Sequence, residues 1–305
     1  MSATLLLVQA LNGLQLGILL FLLAAGLTLV FGIMNFINLA HGSLYMMGAF
    51  IAATVFRHSG SFLLAAAAVV AGMALLGLLL DRIALARLYP REHLDQVLAT
   101  FGFILFFNEL TRIIWGPAPL AGLPSWLSGT IDLLGVTYPL YRFLIIVAGL
   151  AVAAGCYALI HRTRLGMLIR AGSTDRMMVG ALGVNIARLN TLLFVLGAVL
   201  AGVAGLMAGP ILSAQTGMGE PILILTLVVI VIGGIGSVRG AFLAALMVGL
   251  VDTLGRALLP ALLRAALPPA AANAAGPAIA SMLIYIVMAL VLALRPQGLF
   301  PVRHG

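Results

Sequence analysis

Four hydrogen-bonding side chains fall within nine residues between two apolar runs: Asn35, Asn38, His41 and Ser43. Each costs free energy in hydrocarbon unless it meets a partner or water. Two interpretations follow. Either Asn38 and His41 cap the next short helix and satisfy its free N–H groups, or the four side chains border a substrate path through the membrane. No second His or Cys lies at ligand spacing from His41, so the sequence indicates no metal site.

A second interruption, rich in glycine, lies at residues 233–241. Its residues of interest are Gly233, Gly234, Gly236 and Ser237. Glycines permit a tight turn and close backbone approach. Gly-interrupted segments in corresponding positions of two halves indicate a transporter's site near the membrane midplane. The two interruptions share only a loose G-S…G-A-F pattern, which is a weak indication of an internal repeat.

The elements around these interruptions have the composition of lipid-facing helices. Of 305 residues, 63% are hydrophobic and 8% are charged, whereas soluble domains carry roughly 25% charged residues. Apolar runs that can cross about 30 Å of hydrocarbon predict an all-α, polytopic membrane protein with eight to nine helical segments in one domain, residues 1–305. The long runs are about 5–31, 61–81, 95–114, 139–160, 191–209 and 278–294, and the shorter ones are about 42–56, 222–235 and 240–259.

The charges exclude some functions and predict an orientation. All 16 basic residues are Arg. They lie singly in loops, so the net charge of +8 does not indicate nucleic-acid binding. A Walker-type ATP site needs Lys, so any ATP hydrolysis would belong to another chain. The positive-inside rule predicts an external N-terminus and a cytoplasmic C-terminus. The predicted cytoplasmic set is Arg82, Arg87, Arg91, Arg162, Arg164, Arg170, Arg176, Arg188, Arg239, Arg295 and Arg303, and the external set is Arg57, Arg112, Arg142, Arg256 and Arg264.

Few acids fall within the predicted spans. Glu109 precedes Arg112 by three residues and Asp252 precedes Arg256 by four, and such spacings bring side chains together on a helix. Structural pairing near helix ends is therefore favoured for these two acids, and Asp81 is a further intramembrane candidate. The sequence contains no chain of acids typical of a proton relay.

The longest polar segment, about residues 161–190, predicts a short amphipathic helix at the membrane surface. Asp175 is expected to cap this helix and Gly183 to end it. Two functions fit it equally on the residues alone: an interfacial helix lying on lipid headgroups beside Arg anchors, or a docking element for a soluble partner with methionines as adaptable contacts. The predicted apolar face is Met177, Met178, Ala181 and Leu182.

Several sequence blocks in a fixed order resemble one family of membrane proteins. They are Asn12-Gly13, Phe31-Gly32, Ala40-His41-Gly42 and Gly48-Ala49 near the start, Ala181 to Asn185 and Phe194 to Gly205 in the middle, and Gly233 to Ala241 and Arg295 to Phe300 near the end. Over essentially its whole length, the chain resembles the Liv-type permeases of bacterial ABC importers for branched-chain amino acids.

This resemblance implies a subunit of the bacterial inner membrane that carries substrate by alternating access and is not itself an enzyme, with no cofactor. The implied partners are a second, homologous permease, two ATP-binding-cassette ATPase subunits and a periplasmic substrate-binding protein, in addition to membrane lipid. The polar segment would then be the coupling helix seated in a groove of the ATPase. Its implied contact residues are Asp175, Arg176, Met178, Ala181, Gly183 and Asn185.

Two departures from the family pattern leave the substrate open. Many members carry Glu after His-Gly, where this chain has Ser43, and some carry Lys where this chain has Leu225. Loss of charge suits an apolar cargo such as Leu, Ile or Val, with an amide, urea or an aromatic acid as alternatives. The competing classes are an ion-coupled secondary transporter, which would need intramembrane acids or an unwound carbonyl site, and a non-transporting scaffold, which would leave the polar interruptions unexplained.

Overall fold

A computed structural model describes residues 3–300 of the chain except 121, 123, 134 and 266, so Arg303 of the predicted cytoplasmic set lies outside the described residues. Nearly all of the described chain is helical. The helices are α1 (Ala3–Met34), α2 (His41–Ser59), α3 (Phe62–Ile83), α4 (His93–Trp115), α5 (Leu140–Arg162), α6 (Arg164–Thr174), α7 (Arg176–Ala181), α8 (Ile186–Leu212), α9 (Gly219–Gly233), α10 (Val238–Leu263) and α11 (Pro269–Leu294). One antiparallel hairpin, β1 (Thr130–Leu133) and β2 (Val136–Pro139), precedes α5.

Seven helices are long and apolar enough to cross a membrane: α1, α3, α4, α5, α8, α10 and α11. With the shorter α2 and α9, the described residues contain nine apolar helices, which confirms the predicted eight to nine segments. The prediction of a short segment at 240–259 was wrong, because α10 runs over Val238–Leu263. Its polar residues are satisfied within the helix pair, since Arg256 donates to Asp252 and to Ser281 of α11.

Helix α1 lies at the centre of the bundle. It contains no charged residue, and a helix that is apolar on every side belongs in the interior. Helices can approach α1 closely because its glycines face backbone: a Cβ added at Gly17 would lie 2.8 Å from the Ala245 carbonyl oxygen of α10. A Cβ at Gly26 would lie 2.8 Å from the Gly197 carbonyl oxygen of α8. Small residues at such contacts are the usual means of helix association in lipid.

Helices α1–α4 and α8–α11 form two inverted repeats. The helix ends of the two repeats are offset by a constant number of residues along the chain. The offset from Met34, the end of α1, to Leu212, the end of α8, equals the offset from His41, the start of α2, to Gly219, the start of α9. In this correspondence α1 matches α8 and α3 matches α10. The contact of α1 with α10 is accordingly matched by the contact of α8 with α3. The start of α5 bonds both Asn12 of α1 and Met207 late in α8, so α1 and α8 run in opposite directions.

The arginines lie at the two ends of this bundle. Arg57, Arg112 and Arg142 lie at the ends of α2 and α4 and the start of α5, at the end that also carries the β1–β2 hairpin. Helices α6 and α7, with their arginines, lie at the opposite end. For the arginines named here, the separation into two groups agrees with the predicted sets.

Candidate functional site

The chain between α1 and α2 turns back into the membrane before α2 begins. Asn35 follows α1 with φ of 50°, a left-handed conformation that few non-Gly residues adopt. His41, the first residue of α2, is fully buried, and its Nε2 donates to the Leu23 carbonyl oxygen of α1 at 3.2 Å. Leu23 lies well inside α1, so α2, with 19 residues, starts within the bundle rather than at the end of α1. Residues 35–40 are called the first break below.

The predicted capping role of Asn38 and His41 was wrong. The N-cap of α2 is Ala40, which makes no side-chain capping bond, and neither Asn38 amide atom has a partner among the described residues. The first turn of α2 is closed by backbone instead, since Ser43 and Leu44 donate to the Ala40 carbonyl oxygen.

Side chains of α4 hold the first break in place. The Ile37 N–H donates to Gln96 Oε1 and the Leu39 N–H donates to Thr100 Oγ1, both at 3.2 Å. Gln96 Nε2 donates in turn to the Arg91 carbonyl oxygen at 3.0 Å, which ties the break to the loop before α4. Extended backbone inside a membrane protein needs such partners.

Unpartnered buried polar atoms concentrate at the first break. Six such atoms occur in the described residues, and four of them belong to Thr28, Asn38 and His41. Asn38 also lines a cavity of about 210 Å³ between α1, the first break and α9. Its other walls are aliphatic or aromatic: Leu27, Phe31, Ile37, Leu39, Leu227, Ile230, Val231 and Ile235. A buried amide without a hydrogen-bond partner is costly for folding alone.

A matching interruption, residues 213–218, separates α8 from α9 and is called the second break below. Ser213 has φ of 60°. Among the described residues other than glycine, it and Asn35 are the two with positive φ. The Ala214 and Leu120 backbones exchange two hydrogen bonds, at 2.7 and 2.8 Å. Thr216 Oγ1 lies 3.4 Å from Thr111 Oγ1 of α4. The second half of α4 and the loop after it therefore hold the second break. The first half of α4 holds the first break in the same way.

The amino ends of α2 and α9 meet inside the bundle. A Cβ added at Gly42 would lie 2.3 Å from the Gly219 carbonyl oxygen, and one added at Gly219 would lie 2.3 Å from the Gly42 carbonyl oxygen. From this contact α2 runs towards the end with Arg57 and α9 towards the end with Gly233. Ser43 is buried next to it. Sequence analysis missed residues 213–218, whose signals are the polar Ser213, Gln215 and Thr216 and the two glycines Gly217 and Gly219.

The glycine-rich segment at 233–241 is a turn at the end of α9. Gly234 and Gly236 have positive φ, and Ser237 caps α10 by accepting from the Gly240 N–H at 3.1 Å. A Cβ at Gly32 would lie 2.3 Å from the Gly236 Cα, so this turn packs on the last turns of α1. Residues 299 and 300 donate to the carbonyl oxygens of Ile232 and Gly233, which fastens the C-terminal segment to it.

Two of the acids in the helical bundle pair with arginine, and two others accept hydrogen bonds from uncharged polar side chains. Glu109 pairs with Arg112 at 3.3 Å and Asp252 with Arg256 at 2.8 Å, which confirms the prediction from spacing. Asp81 instead accepts from Thr191 at 2.5 Å and from the Tyr89 hydroxyl. Burial and that hydrogen bond raise the pKa of Tyr89 above its usual value, so it remains a donor. Glu220, in the first turn of α9, was overlooked by sequence analysis; it accepts from Asn108 Nδ2 of α4 at 2.5 Å.

The polar segment before α8 contains two helices rather than one. Asp175 caps α7 by accepting from the Met178 N–H at 2.9 Å, and Gly183 turns the chain with φ of 88°, as predicted. Helix α6 was not predicted. Val179 packs inward, whereas Met177 is 88% exposed and Leu182 is 76% exposed. The remaining members of the implied contact set lie on the same short stretch: Arg176, Met178, Ala181 and Asn185, which caps α8.

Two interrupted helices in an inverted repeat, both held by polar side chains of α4, define a multi-pass membrane protein built as transporters are built. The comparison of sequences agrees. The family described as "branched-chain amino acid transport system / permease component" matches residues 9–292, and the chain belongs to it.

Relatives of known name cover most of the chain. The permease protein BraD of the high-affinity branched-chain amino acid transport system of Pseudomonas aeruginosa is 32% identical over 81% of this chain and 85% of its own length. LivH, the corresponding permease protein of Escherichia coli K12, is 28% identical over 82% of this chain and 86% of its own length. A probable branched-chain amino acid transport permease protein LivH of Methanocaldococcus jannaschii is 26% identical over 77% of this chain and 76% of its own length. No solved structure matches the chain significantly.

Proposed function

We propose that this protein is the permease subunit of an ATP-binding-cassette importer that carries branched-chain amino acids, or closely related small apolar amino acids or amides, across the bacterial inner membrane. The observation that carries the proposal is the meeting of two half-helices, α2 and α9, at Gly42 and Gly219. Broken helices with interior amino ends are the usual framework of a midplane transport site. Family membership supports the transport class.

The translocation path is proposed to run along the exposed face of α9, past the two breaks. Ile224 and Leu227 lie on this face, and the aliphatic cavity beside Asn38 continues it. An apolar cavity with one orphan amide suits a cargo that has an aliphatic side chain and a polar end. The residues proposed to border or shape the path are Asn35, Asn38, His41, Ser43, Gly233, Gly234, Gly236 and Ser237.

The energy source is proposed to be a pair of ATPase subunits that dock on α7. The exposed apolar side chains at α7 support this assignment, because Met177 and Leu182 leave apolar surface beyond the membrane-spanning helices. The proposed contact set is Asp175, Arg176, Met178, Ala181, Gly183 and Asn185. A second permease and a periplasmic binding protein complete the proposed complex, with the α7 end cytoplasmic and the N-terminus external by the arginine distribution.

Reconstitution of the chain into vesicles with these partners tests the proposal. Radiolabelled L-leucine uptake should require binding protein and ATP and should stop when ATP is withheld. The inverted repeat is also typical of secondary transporters, so the same vesicles without partners are given sodium and proton gradients. Uptake by the single chain under an ion gradient would overturn the importer assignment.

A pair of variants tests the docking element. Met177→Glu adds charge to a highly exposed position of α7 and should abolish substrate-stimulated ATP hydrolysis while leaving the subunits assembled. Met167→Glu is the matched control on neighbouring α6, where the side chain is 55% exposed. Equal coupling in both variants and the parent would count against α7 as the contact.

A further inference from the structure

A polar cluster lies between α4 and the start of α9, within the bundle. Glu220 accepts from Asn108 Nδ2 at 2.5 Å. One turn further along α4, Thr111 donates to the Asn108 carbonyl oxygen at 2.8 Å and lies beside Thr216 of the second break. The depth follows from Gly219, which contacts Gly42 where α2 begins. The cluster therefore sits where the two half-helices meet, away from both ends of the long helices.

This cluster has more acceptors than donors. Asn108 Oδ1 is buried and has no partner among the described residues, because the amide uses its NH₂ group on Glu220. Exchanging the amide atoms would not help, since it would set one oxygen against the carboxylate. Within the described part of the chain, Arg pairs with Glu109 and with Asp252, but not with Glu220.

The helix dipole explains only part of this arrangement. An acid in the first turn of α9 is favoured by the free N–H groups there. That effect does not account for the unpartnered Asn108 oxygen on another helix, nor for an acid without a cationic partner at membrane depth. A ligand that brings N–H donors and a positive charge would satisfy both groups.

We propose that Glu220 and Asn108 bind the primary ammonium group of an amino-acid cargo at the meeting point of α2 and α9. The proposal rests on the proposed function and sharpens it, since it selects amino acids over neutral amides and urea. An ammonium group has three N–H donors, enough for a Glu220 oxygen and Asn108 Oδ1 together.

The rest of the cargo is accommodated by the surface next to the cluster. Glu220, Ile224 and Leu227 recur at helical spacing on one face of α9. Ile224 is 49% exposed and Leu227 is 36% exposed. An aliphatic side chain can therefore lie on Ile224 while its ammonium contacts Glu220. The cavity beside Asn38 starts at Leu227, two turns or about 10 Å further along the helix. The cavity is therefore a separate site further along the path and not part of the ammonium site at Glu220.

The test compares Glu220→Gln with Glu109→Gln in the reconstituted importer. Glu109 is the neighbour of Asn108, and its side chain is 64% exposed in its pair with Arg112. L-leucine uptake should fall about tenfold or more in Glu220→Gln, as expected for loss of a charged hydrogen-bond partner. Uptake should stay near the parent value in Glu109→Gln. Glu220→Asp should restore part of the activity.

Two readouts separate recognition from a structural role. Thermal stability should fall only slightly in Glu220→Gln, through loss of the helix-dipole interaction, whereas cargo-stimulated ATP hydrolysis should fall with uptake. Parent-like uptake in Glu220→Gln, or a fall matched by lost stability with no rescue by Asp, overturns the ammonium site. Failure of the parent complex to import L-leucine is a separate result, which overturns the proposed function itself.

Discussion

The two breaks have the same length and the same place in their repeats, yet they differ in how their polar groups are satisfied. Backbone of the first break bonds to side chains of α4, through Gln96 and Thr100, while the side-chain amide of Asn38 has no partner in the described part of the chain. Backbone of the second bonds to the backbone of Leu120, and its neighbour Glu220 carries a charge. We infer that the repeats share a framework but differ in role, since the second recognises charge and the first presents an apolar cavity.

Helix α4 connects the two regions. Gln96, Thr100, Asn108 and Thr111 lie along it, the first pair at one break and the second pair at the other. A single helix that bonds to both breaks can transmit movement between them, because a shift of α4 changes both sets of contacts. The comparison of the breaks can therefore be tested by substitutions in either of them or along α4.

The largest effect is expected where the half-helices touch. Gly42→Ala places a methyl group 2.3 Å from the Gly219 carbonyl oxygen, and backbone cannot yield as a side chain can. We expect a loss of about 3 kcal/mol in the free energy of unfolding, the upper end of overpacking costs. Thermal unfolding in detergent measures it. Gly102→Ala on α4 is the control, since nothing lies within 4 Å of that site, and it should be neutral or more stable by up to about 1 kcal/mol. Similar losses in both would show that the contact is not tight.

The next effect compares the supports of the two breaks. Gln96→Leu removes the acceptor for the Ile37 N–H and the donors to two carbonyl oxygens, and buried groups left unsatisfied cost about 1–3 kcal/mol each. Thr111→Val removes one hydroxyl, whose bonds are to the Asn108 carbonyl oxygen and Thr216. We therefore expect Gln96→Leu to be the more destabilising, and amide hydrogen exchange should rise at residues 36–40. An increase at 213–218 instead would reverse the assignment of supports.

Asn38 offers an opposite test, in which stability rises. Its amide is buried and without described partners, so Asn38→Leu should stabilise the protein by about 1 kcal/mol through relief of desolvation. L-leucine uptake should fall, because a polar group next to the cavity is lost. Thr216→Val at the matching break removes a contact that is already made, so stability should fall slightly. Lower stability in Asn38→Leu would indicate that the amide has partners and serves the fold.

The smallest effect is expected at the glycine-rich turn. Ser237→Ala removes the cap of α10, which typically costs about 1 kcal/mol, and uptake should change little beyond that. Ser237→Asp keeps a capping oxygen and is the control. A large loss of uptake at unchanged stability would place this turn among the groups that contact cargo.

Much of the fold could be predicted because the spans are long apolar runs and the caps are local. Asp175 and Gly183 were identified from a few neighbouring residues, as were the Glu109 and Asp252 pairs. The second break was missed because residues 213–218 carry no charge, and their polar side chains, Ser213, Gln215 and Thr216, do not by themselves mark a break. Their identity as a break depends on where α9 meets α2. Capping by Asn38 stayed one of two interpretations because local spacing cannot show that Gln96 and Thr100, far along the chain, bond the backbone of the first break. The length of α10 was underestimated because Pro260 follows the predicted segment, and a proline usually ends a helix, whereas α10 continues through it to Leu263.

The central claim is that the path follows the face of α9 along which the broken helices meet. Thiol accessibility tests it most directly, because the chain has one cysteine, Cys156, which can be replaced by Ser. Cysteines are then placed at Ile224 and Leu227, and at Met282 and Leu290 of α11, which are similarly or more exposed in the isolated chain. In the assembled importer, a water-soluble, membrane-impermeant thiol reagent should modify the α9 positions, with protection by cargo and its binding protein, and should leave the α11 positions unmodified. Equal modification of both helices, or modification of α11 alone, would contradict the account.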